Sequence, residues 1–312
     1  KPIWSANNNL ASLTNLTTQR SYSDVASSGR YIFTGIDRTG DGQIGWDAWV
    51  NEVEPFVPAT FPNGASDNQY RLLGLTSANK ADAPNLVNFI RGQEGLPGYR
   101  NRTVDYANTG QAKPWLLGDI VNSSPVSVGR PNSSYDVSFG DDTYLEYKLK
   151  YEKRRQVVYV GANDGMLHAF NAGFYDPNTL TYKLSSGNGE VEHPLGSELW
   201  AYVPYNLLPH LQWLGKADYP HVYYMDGPVK SYDVNIFTPD STHPGGWGTI
   251  IVAGMRFGGG DFTLDPNSDP DGTTTDDITM RSGYVIMDVT DPEQPPVLIG
   301  ELANYTLGFA TT

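Results

Sequence analysis

The sequence contains no cysteine among its 312 residues. This absence excludes disulfide frameworks, thiolate zinc sites, iron–sulfur clusters and cysteine nucleophiles. Basic residues are also few, with 21 Lys and Arg against 35 Asp and Glu, which gives a net charge of −14. Because a grip on nucleic acid needs clustered positive charge, we expect no nucleic-acid partner. No apolar run approaches the roughly 18 residues of a membrane-spanning helix, so we expect no membrane-spanning segment.

Turn-forming and aromatic residues are abundant instead. The chain has 33 Gly, 22 Pro and 20 Tyr, while charged residues make up only 18%. That charge content is too low for a coiled coil or a charge-rich disordered chain. The composition therefore favours a mainly β protein with many turns.

The chain divides into two parts by pattern. Residues 1–112 are irregular and contain two candidate helices, Trp4–Leu16 and Asp82–Arg91, the second ending at Gly92. From Lys113 onwards, short β-type runs alternate with turn clusters. We therefore predict a division into residues 1–112 and 113–312.

The second part contains a repeat of four β-type runs. The first set is Ile120–Gly129, Gln156–Ala162, Met166–Asn171 and Glu198–Pro204. The second set is Val222–Val234, Trp247–Gly254, Gly283–Val289 and Val297–Leu302. Leu307–Thr311 resembles the start of another first strand. Repeats of four strands are typical of β-propeller blades, and a β-sandwich is the alternative.

Long insertions separate the strands and are expected at the rims of the fold, where binding residues usually lie. One of them ends in Lys153, Arg154 and Arg155. These side chains would either contact the carboxylates of a partner or form a solvated start to the next strand. His168 lies in an apolar strand and is expected to be a hydrogen-bonded core residue, and the turn at residues 163–165 has the composition of a β-hairpin turn.

Residues 37–47 have the spacing of a calcium loop. Oxygen-bearing side chains fall at loop positions 1, 3 and 5, and glycine at position 6 permits the sharp turn. The candidate ligands are Asp37, Thr39, Asp41, Gln43 and Asp47. Position 12, which holds the closing acid in an EF-hand, is Ala48. The loop is therefore EF-hand-like with altered closure, and a solvated Asp/Gly turn is the alternative.

A second calcium candidate lies in residues 265–277. Aligned on Gly272, its ligands are Asn267, Asp269, Asp271 and Thr273. A register that starts at Asp265 is equally open, and a flexible acidic loop is the alternative. Neighbouring carboxylates repel one another without a cation, so calcium is expected to order whichever loop binds it.

Several longer blocks carry a family resemblance that covers most of the chain. They are LLGDIVNSSPVSVG, RRQVVYVGANDGMLHAFNA, GSELWAYVP, HVYYMDGPVKSYDV, GWGTIIVAGMRFGGG and GYVIMDVTDP. Together they resemble the C-terminal propeller of the PilY/PilC family of type IV pilus biogenesis and tip-adhesin proteins. The resemblance implies a mainly β, modified β-propeller similar to quinoprotein dehydrogenases, with long loop insertions and a few short helices.

The resemblance also sets expectations for the two parts of the chain. Residues 1–112 would be the N-terminal part of the propeller domain, with the first calcium loop, and residues 113–312 would be two blades and the start of a third. Because two blades cannot close a ring, we expect a partial propeller that is either a fragment or completed by another chain.

The function implied is that of a non-enzymatic, calcium-binding pilus biogenesis factor and tip-associated adhesin that supports pilus assembly and opposes retraction. The implied location is exported, at the pilus tip, the cell surface or the periplasm. The implied partners are pilin or minor pilin subunits and a host or abiotic surface. One alternative is a quinone-dependent (PQQ-type) dehydrogenase, which the missing cysteines disfavour because many such enzymes carry a vicinal disulfide. The other alternative is a structural filament subunit.

Overall fold

The structure is a computed structural model that describes residues 3–39, 44–45, 51–64, 68–105, 110–264 and 277–303. Within these ranges the α-helices are Ala6–Ser12, Ala83–Arg91, Tyr135–Phe139 and Asp142–Lys150. The 3-10 helices are Pro58–Thr60, Gln69–Leu73, Lys80–Asp82, Tyr205–Trp213 and Pro244–Gly246. None of these helices has the length and apolar character needed to cross a membrane.

Two sheets dominate the described part of the chain. The strand order of the first sheet is Val53–Pro55, Ile32–Gly35, Glu198–Val203, Leu167–Asp176, Gln156–Gly161 and Val126–Val128, with Thr181–Lys183 paired to Leu167–Asp176. The order of the second sheet is Val229–Asn235, Trp247–Gly254, Gly283–Asp288 and Val297–Ala303. Smaller pairs join Thr14–Gln19 to Ser28–Arg30, Thr103–Val104 to Lys113–Pro114, and Phe262–Leu264 to Ile278–Met280.

The repeat of four antiparallel strands predicted from the sequence is confirmed. The first strand of each set is shorter than predicted, because each begins directly after a proline, Pro125 or Pro228. Proline has no backbone N–H to give to a sheet, so pairing starts only at the next residue.

The N-terminal part of the chain extends the first sheet. Strand Ile32–Gly35 pairs in parallel with Glu198–Val203, with Ile32 opposite Ala201. The strand Val53–Pro55 then pairs antiparallel to Ile32–Gly35 and forms the sheet edge. The predicted division at residue 112 stays a prediction, and hydrogen bonding within the first sheet crosses it.

The two predicted helices agree with the structure to different degrees. Helix Ala83–Arg91 agrees with the prediction, and Gly92 ends it with a φ of 122°, which disfavours any residue with a side chain. The prediction of a helix over Trp4–Leu16 was too long. Only Ala6–Ser12 is helical, and Thr14–Gln19 forms a strand instead.

The two sheets share one hydrophobic core. Trp200, in the last strand of the first set, packs against Phe33 and Tyr159 with ring centroids 5.8 and 5.7 Å apart. The first sheet closely approaches the segment that leads into the second sheet at Gly161, where a Cβ atom would lie 2.4 Å from the carbonyl oxygen of Met225. The shared core fixes the position of one sheet relative to the other and so defines the sites between them.

Candidate functional site

The predicted calcium ligands fall mostly outside the described residues. Asp37 and Thr39 follow strand Ile32–Gly35, and the Thr39 hydroxyl donates to Asp37 Oδ1 over 3.3 Å. The remaining predicted ligands lie outside the described ranges, namely Asp41, Gln43, Asp47, Asn267, Asp269, Asp271 and Thr273. Among the described residues, no three His, Asp or Glu side chains come together in a way that could hold a metal ion. Calcium binding by either loop therefore stays a prediction.

The described ends of the first predicted calcium loop, residues 37–39 and 44–45, connect to both sheets. The loop leaves the first sheet at Gly35, and Ile44 forms a bridge with Glu301 on the last strand of the second sheet. The Glu301 N–H donates to the Ile44 carbonyl oxygen over 3.0 Å. A Cβ atom on Gly35 would lie 2.4 Å from Ile44 Cγ2, so this close approach requires glycine. A ligand that fixes the loop would also fix its contacts with both sheets.

A buried carboxylate, Glu52, holds the loop at its base. Its Oε1 accepts a hydrogen bond from the N–H of Arg38, and its Oε2 accepts one from the N–H of Gly45, each over 3.1 Å. Only 2% of Glu52 is exposed. Glu52 therefore bonds to residues on both arms of the loop. Hydrogen bonds to a charged acceptor are stronger than bonds between neutral groups, so these two bonds hold the arms firmly. Glu52 was missed from the sequence because it lies beyond the closing position of an EF-hand loop.

A second carboxylate, Glu301, is buried next to Glu52. It accepts hydrogen bonds from the hydroxyl of Tyr202 and from the N–H of Tyr205, the latter over 3.0 Å. Burial, reinforced by the negative charge of Glu52, raises the pKa of Glu301 to about 7, although the two hydrogen bonds offset part of this effect. Burial and then the charges of Asp37, Glu301 and Glu52 raise the pKa of Tyr205. Three carboxyl groups, those of Asp37, Glu52 and Glu301, therefore lie near one another at the described ends of the loop.

A separate buried network crosses the first sheet. Arg30 donates from Nε and Nη2 to the two carboxylate oxygens of Glu198, each over 2.7 Å. His168 donates from Nδ1 to Glu198 over 2.8 Å and from Nε2 to Asp164 over 3.1 Å. Burial opposes the charged imidazole, but Asp164 and Glu198 raise the pKa of His168 to about 9. The prediction of a hydrogen-bonded core histidine is confirmed, and the network supports the fold.

The reading of residues 153–155 as a solvated strand start was wrong for Arg155. Its side chain is buried and makes two hydrogen bonds to the carboxylate of Glu293, over 2.7 and 2.9 Å. It also donates to Asn171 Oδ1 over 3.0 Å. Arg154 donates to the hydroxyl of Thr249 over 3.0 Å and so reaches the second sheet. These arginines connect the sheets to each other and to the neighbouring loops, while Lys153 is exposed.

Residues 117–283 match the family model described as the PilY1 beta-propeller domain. The match begins inside the block LLGDIVNSSPVSVG, covers the first set of four strands and the first two strands of the second set, and ends at Gly283, where the third strand begins. The predicted fold class, a mainly β, modified β-propeller with a few short helices, is confirmed.

Sequence similarity to curated relatives agrees with the family match. A type IV pilus biogenesis factor PilY1 homolog of Xylella fastidiosa is 32% identical over 225 residues, which cover 70% of this chain and 15% of the relative. The type IV pilus biogenesis factor PilY1 of Pseudomonas aeruginosa is 31% identical over 270 residues, covering 83% of this chain and 19% of the relative. The match thus spans less than a fifth of each relative's length.

One solved structure also matches, the crystal structure of the Pseudomonas aeruginosa PilY1 C-terminal domain. It is 22% identical, with a TM-score of 0.31, and the match covers 57% of this chain and 25% of that chain.

Proposed function

The chain belongs to the PilY1 family of type IV pilus biogenesis factors, and we propose that it is a non-enzymatic, calcium-binding factor in pilus assembly. The observation that carries this proposal is the family match over residues 117–283. The relatives reported above are named as pilus biogenesis factors, which supports a non-enzymatic role over a quinone-dependent dehydrogenase.

The position of the first loop supports calcium as the cofactor. Calcium prefers oxygen ligands, and the carboxyl groups of Asp37, Glu52 and Glu301 lie near one another at the described ends of the loop. A cation bound above them would reduce their mutual repulsion. Because Ile44 bridges to the second sheet, calcium would stabilise the junction between the sheets as well as the loop.

The test is a calcium titration of the chelator-treated protein, followed by thermal unfolding and calorimetry. A ligand that binds only the folded state stabilises it by about 2.7 kcal/mol at a hundredfold excess over its Kd. We expect calcium to raise the Tm of the wild type and of the surface control Asp218→Ala. Asp41→Ala should abolish the increase if the first loop is the main site, and Asp271→Ala should abolish it if the second loop is. No increase in the wild type would refute calcium binding by both loops.

The remaining parts of the proposal concern the whole protein. We propose that it is exported to the pilus tip, the cell surface or the periplasm, contacts pilin or minor pilin subunits, opposes retraction and attaches to a host or abiotic surface. The support is the sequence resemblance and the names of the relatives. The amount of this protein relative to pilin in sheared pili separates the alternatives, because a tip factor is rare and a filament subunit is abundant. A quinone absorbance band with alcohol oxidation would overturn the non-enzymatic reading.

A further inference from the structure

A cavity of about 150 Å³ opens between the two sheets, away from the first calcium loop. One wall is the edge strand Val126–Val128 of the first sheet, and the opposite wall is part of the edge strand Val229–Asn235 of the second sheet. The start of the insertion at residues 130–135 forms a third wall. Residues from distant parts of the sequence therefore converge on a single concave site.

The charged groups in the cavity wall are held in place by other side chains. Asp233 accepts hydrogen bonds from the hydroxyls of Tyr144 and Thr249, over 2.7 and 2.8 Å. Arg154 donates to the same Thr249 hydroxyl over 3.0 Å and to the carbonyl oxygen of Gly129 over 2.8 Å. Side chains fixed in this way need little reordering when a ligand binds.

Three other polar side chains of the cavity have no partner within the described part of the chain. Arg130, Asn132 and Ser231 line the cavity, and none of these side chains makes a hydrogen bond or ion pair with another described residue. Ser231 and Asp233 lie two residues apart on one strand, so their side chains point to the same face. The cavity thus presents both donors and acceptors to a ligand.

Charge and size restrict the class of ligand. The carboxylate of Asp233 disfavours the binding of an anion, and the guanidinium groups of Arg130 and Arg154 disfavour the binding of a cation. Hydroxyl groups donate and accept hydrogen bonds, so a neutral molecule rich in hydroxyls satisfies carboxylate, amide and guanidinium groups together. The volume is about half the ~300 Å³ lower limit of typical drug-sized pockets, which suits one small ring. We propose that this cavity binds a single neutral sugar ring.

This inference does not depend on calcium binding or on the role in pilus assembly. The sugar could be free in solution or could be the terminal residue of a glycan on a surface, since both present the same hydroxyl groups. The two sources are separated by measuring free monosaccharides and immobilised glycans in parallel.

The experiment is saturation-transfer NMR of the 312-residue chain with free glucose, galactose, mannose and N-acetylglucosamine, alongside binding to glycans immobilised through their reducing ends. We expect at least one sugar to bind in at least one format. Arg130→Ala and Asn132→Ala should each weaken that binding about tenfold, because each removes hydrogen bonds to the ligand. Ser231→Tyr should block it by filling the cavity. Binding only to immobilised glycans would assign the ligand to a surface glycan, provided that the same variants abolish it.

Lys230→Ala is the matched control, because Lys230 is exposed on the same strand and points to the opposite face from Ser231. This control should bind like the wild type, and the Tm of every variant should confirm folding. The proposal is overturned if no sugar binds in either format, or if Ser231→Tyr binds as well as the wild type. It is also overturned if glycine or serine, as zwitterions, compete for the cavity more strongly than any sugar.

Discussion

The hydroxyl of Tyr202, on the first sheet, donates a hydrogen bond to the carboxylate of Glu301, on the last strand of the second sheet. The N–H of Glu301 donates in turn to the carbonyl oxygen of Ile44 in the first predicted calcium loop. One buried acid therefore connects both sheets and the loop. Its protonation state is expected to affect the stability of this junction.

The first prediction concerns Glu301→Gln and pH. Burial raises the folded-state pKa of Glu301 from an ordinary 4.5 to about 7, so the folded state holds this proton more tightly than the unfolded state. Between about pH 4.5 and 7 this group therefore lowers the free energy of unfolding as the pH rises, by on the order of 2–3 kcal/mol. Urea unfolding at several pH values should show this decline for the wild type and a smaller one for Glu301→Gln.

The difference between wild type and variant is the informative quantity. Burial, assisted by Arg155 and Arg20, lowers the pKa of His193 to about 3, and so His193 reduces stability as the pH falls below about 6.5, with the opposite sign. Glu146→Gln, at an exposed helix position, is the control and should follow the wild type. A variant curve parallel to the wild-type curve between pH 4.5 and 7 would contradict the prediction.

The second prediction concerns His168→Gln. The carboxylates of Asp164 and Glu198 overcome the effect of burial and raise the pKa of His168 to about 9. Its contribution is therefore fully present below about pH 6.5 and is lost as the pH rises to about 9. We expect His168→Gln to cost about 3 kcal/mol of unfolding free energy at pH 6, because it leaves buried carboxylates less compensated.

His221→Gln supplies the matched control for His168. His221 also pairs with a carboxylate, that of Asp119 over 3.0 Å, but both side chains are nearly half exposed. Exposed ion pairs contribute about 0–1 kcal/mol, so this variant should change little. Chemical denaturation at pH 6 and pH 9 checks both variants. Equal losses of unfolding free energy in His168→Gln and His221→Gln would show that burial does not set the strength of the network around His168.

Features encoded by neighbouring residues were predictable from the sequence. The alternation of β-type runs and turns predicted two sets of four strands, and Gly92 correctly marked the end of helix Ala83–Arg91. The Asn163–Gly165 segment was recognised as a hairpin turn from its composition alone. These signals are local, because the alternation of a strand and the termination of a helix depend on residues a few positions apart.

Features that depend on distant pairing were not predictable. The partner of Arg155 is Glu293, which is 138 residues away, and Tyr202 and Glu301 are 99 residues apart. Nothing in the local sequence at 153–155 distinguishes a buried arginine from a solvated one. The parallel pairing of Ile32–Gly35 with Glu198–Val203 was unpredictable for the same reason, since no spacing pattern in the sequence specifies it.

The third prediction compares Arg155→Lys with Lys153→Met. Arg155 is buried and uses both ends of its guanidinium group, with two bonds to Glu293 and one each to Asn171 and the carbonyl oxygen of Val191. A lysine cannot reproduce this planar pattern, so we expect Arg155→Lys to lower the unfolding free energy by about 3 kcal/mol. The exposed Lys153→Met should stay within about 0.5 kcal/mol of the wild type. Calorimetric unfolding of both variants is the measurement, and a larger effect at Lys153 would contradict this assignment.

The fourth prediction compares two glycines of the Gly258–Gly260 run. The carboxylate of Asp226 accepts hydrogen bonds from the N–H groups of Arg256, Phe257 and Gly258 and so holds this loop against the second sheet. A Cβ atom on Gly258 would lie 1.8 Å from the carbonyl oxygen of Tyr224, whereas one on Gly260 would meet no atom within 4 Å.

Gly258→Ala should therefore displace the loop from Asp226 and lower the unfolding free energy by about 3 kcal/mol, because the clash is with backbone and cannot be relieved by a rotamer change. Gly260→Ala should be neutral or stabilise by up to about 0.5 kcal/mol, since alanine restricts the unfolded chain without a clash in the folded state. Urea denaturation of both variants measures this contrast. Amide hydrogen exchange at residues 256–258 then tests the mechanism, because only Gly258→Ala should release the N–H groups held by Asp226. Similar stability and exchange in both variants would mean that the carboxylate does not hold the loop.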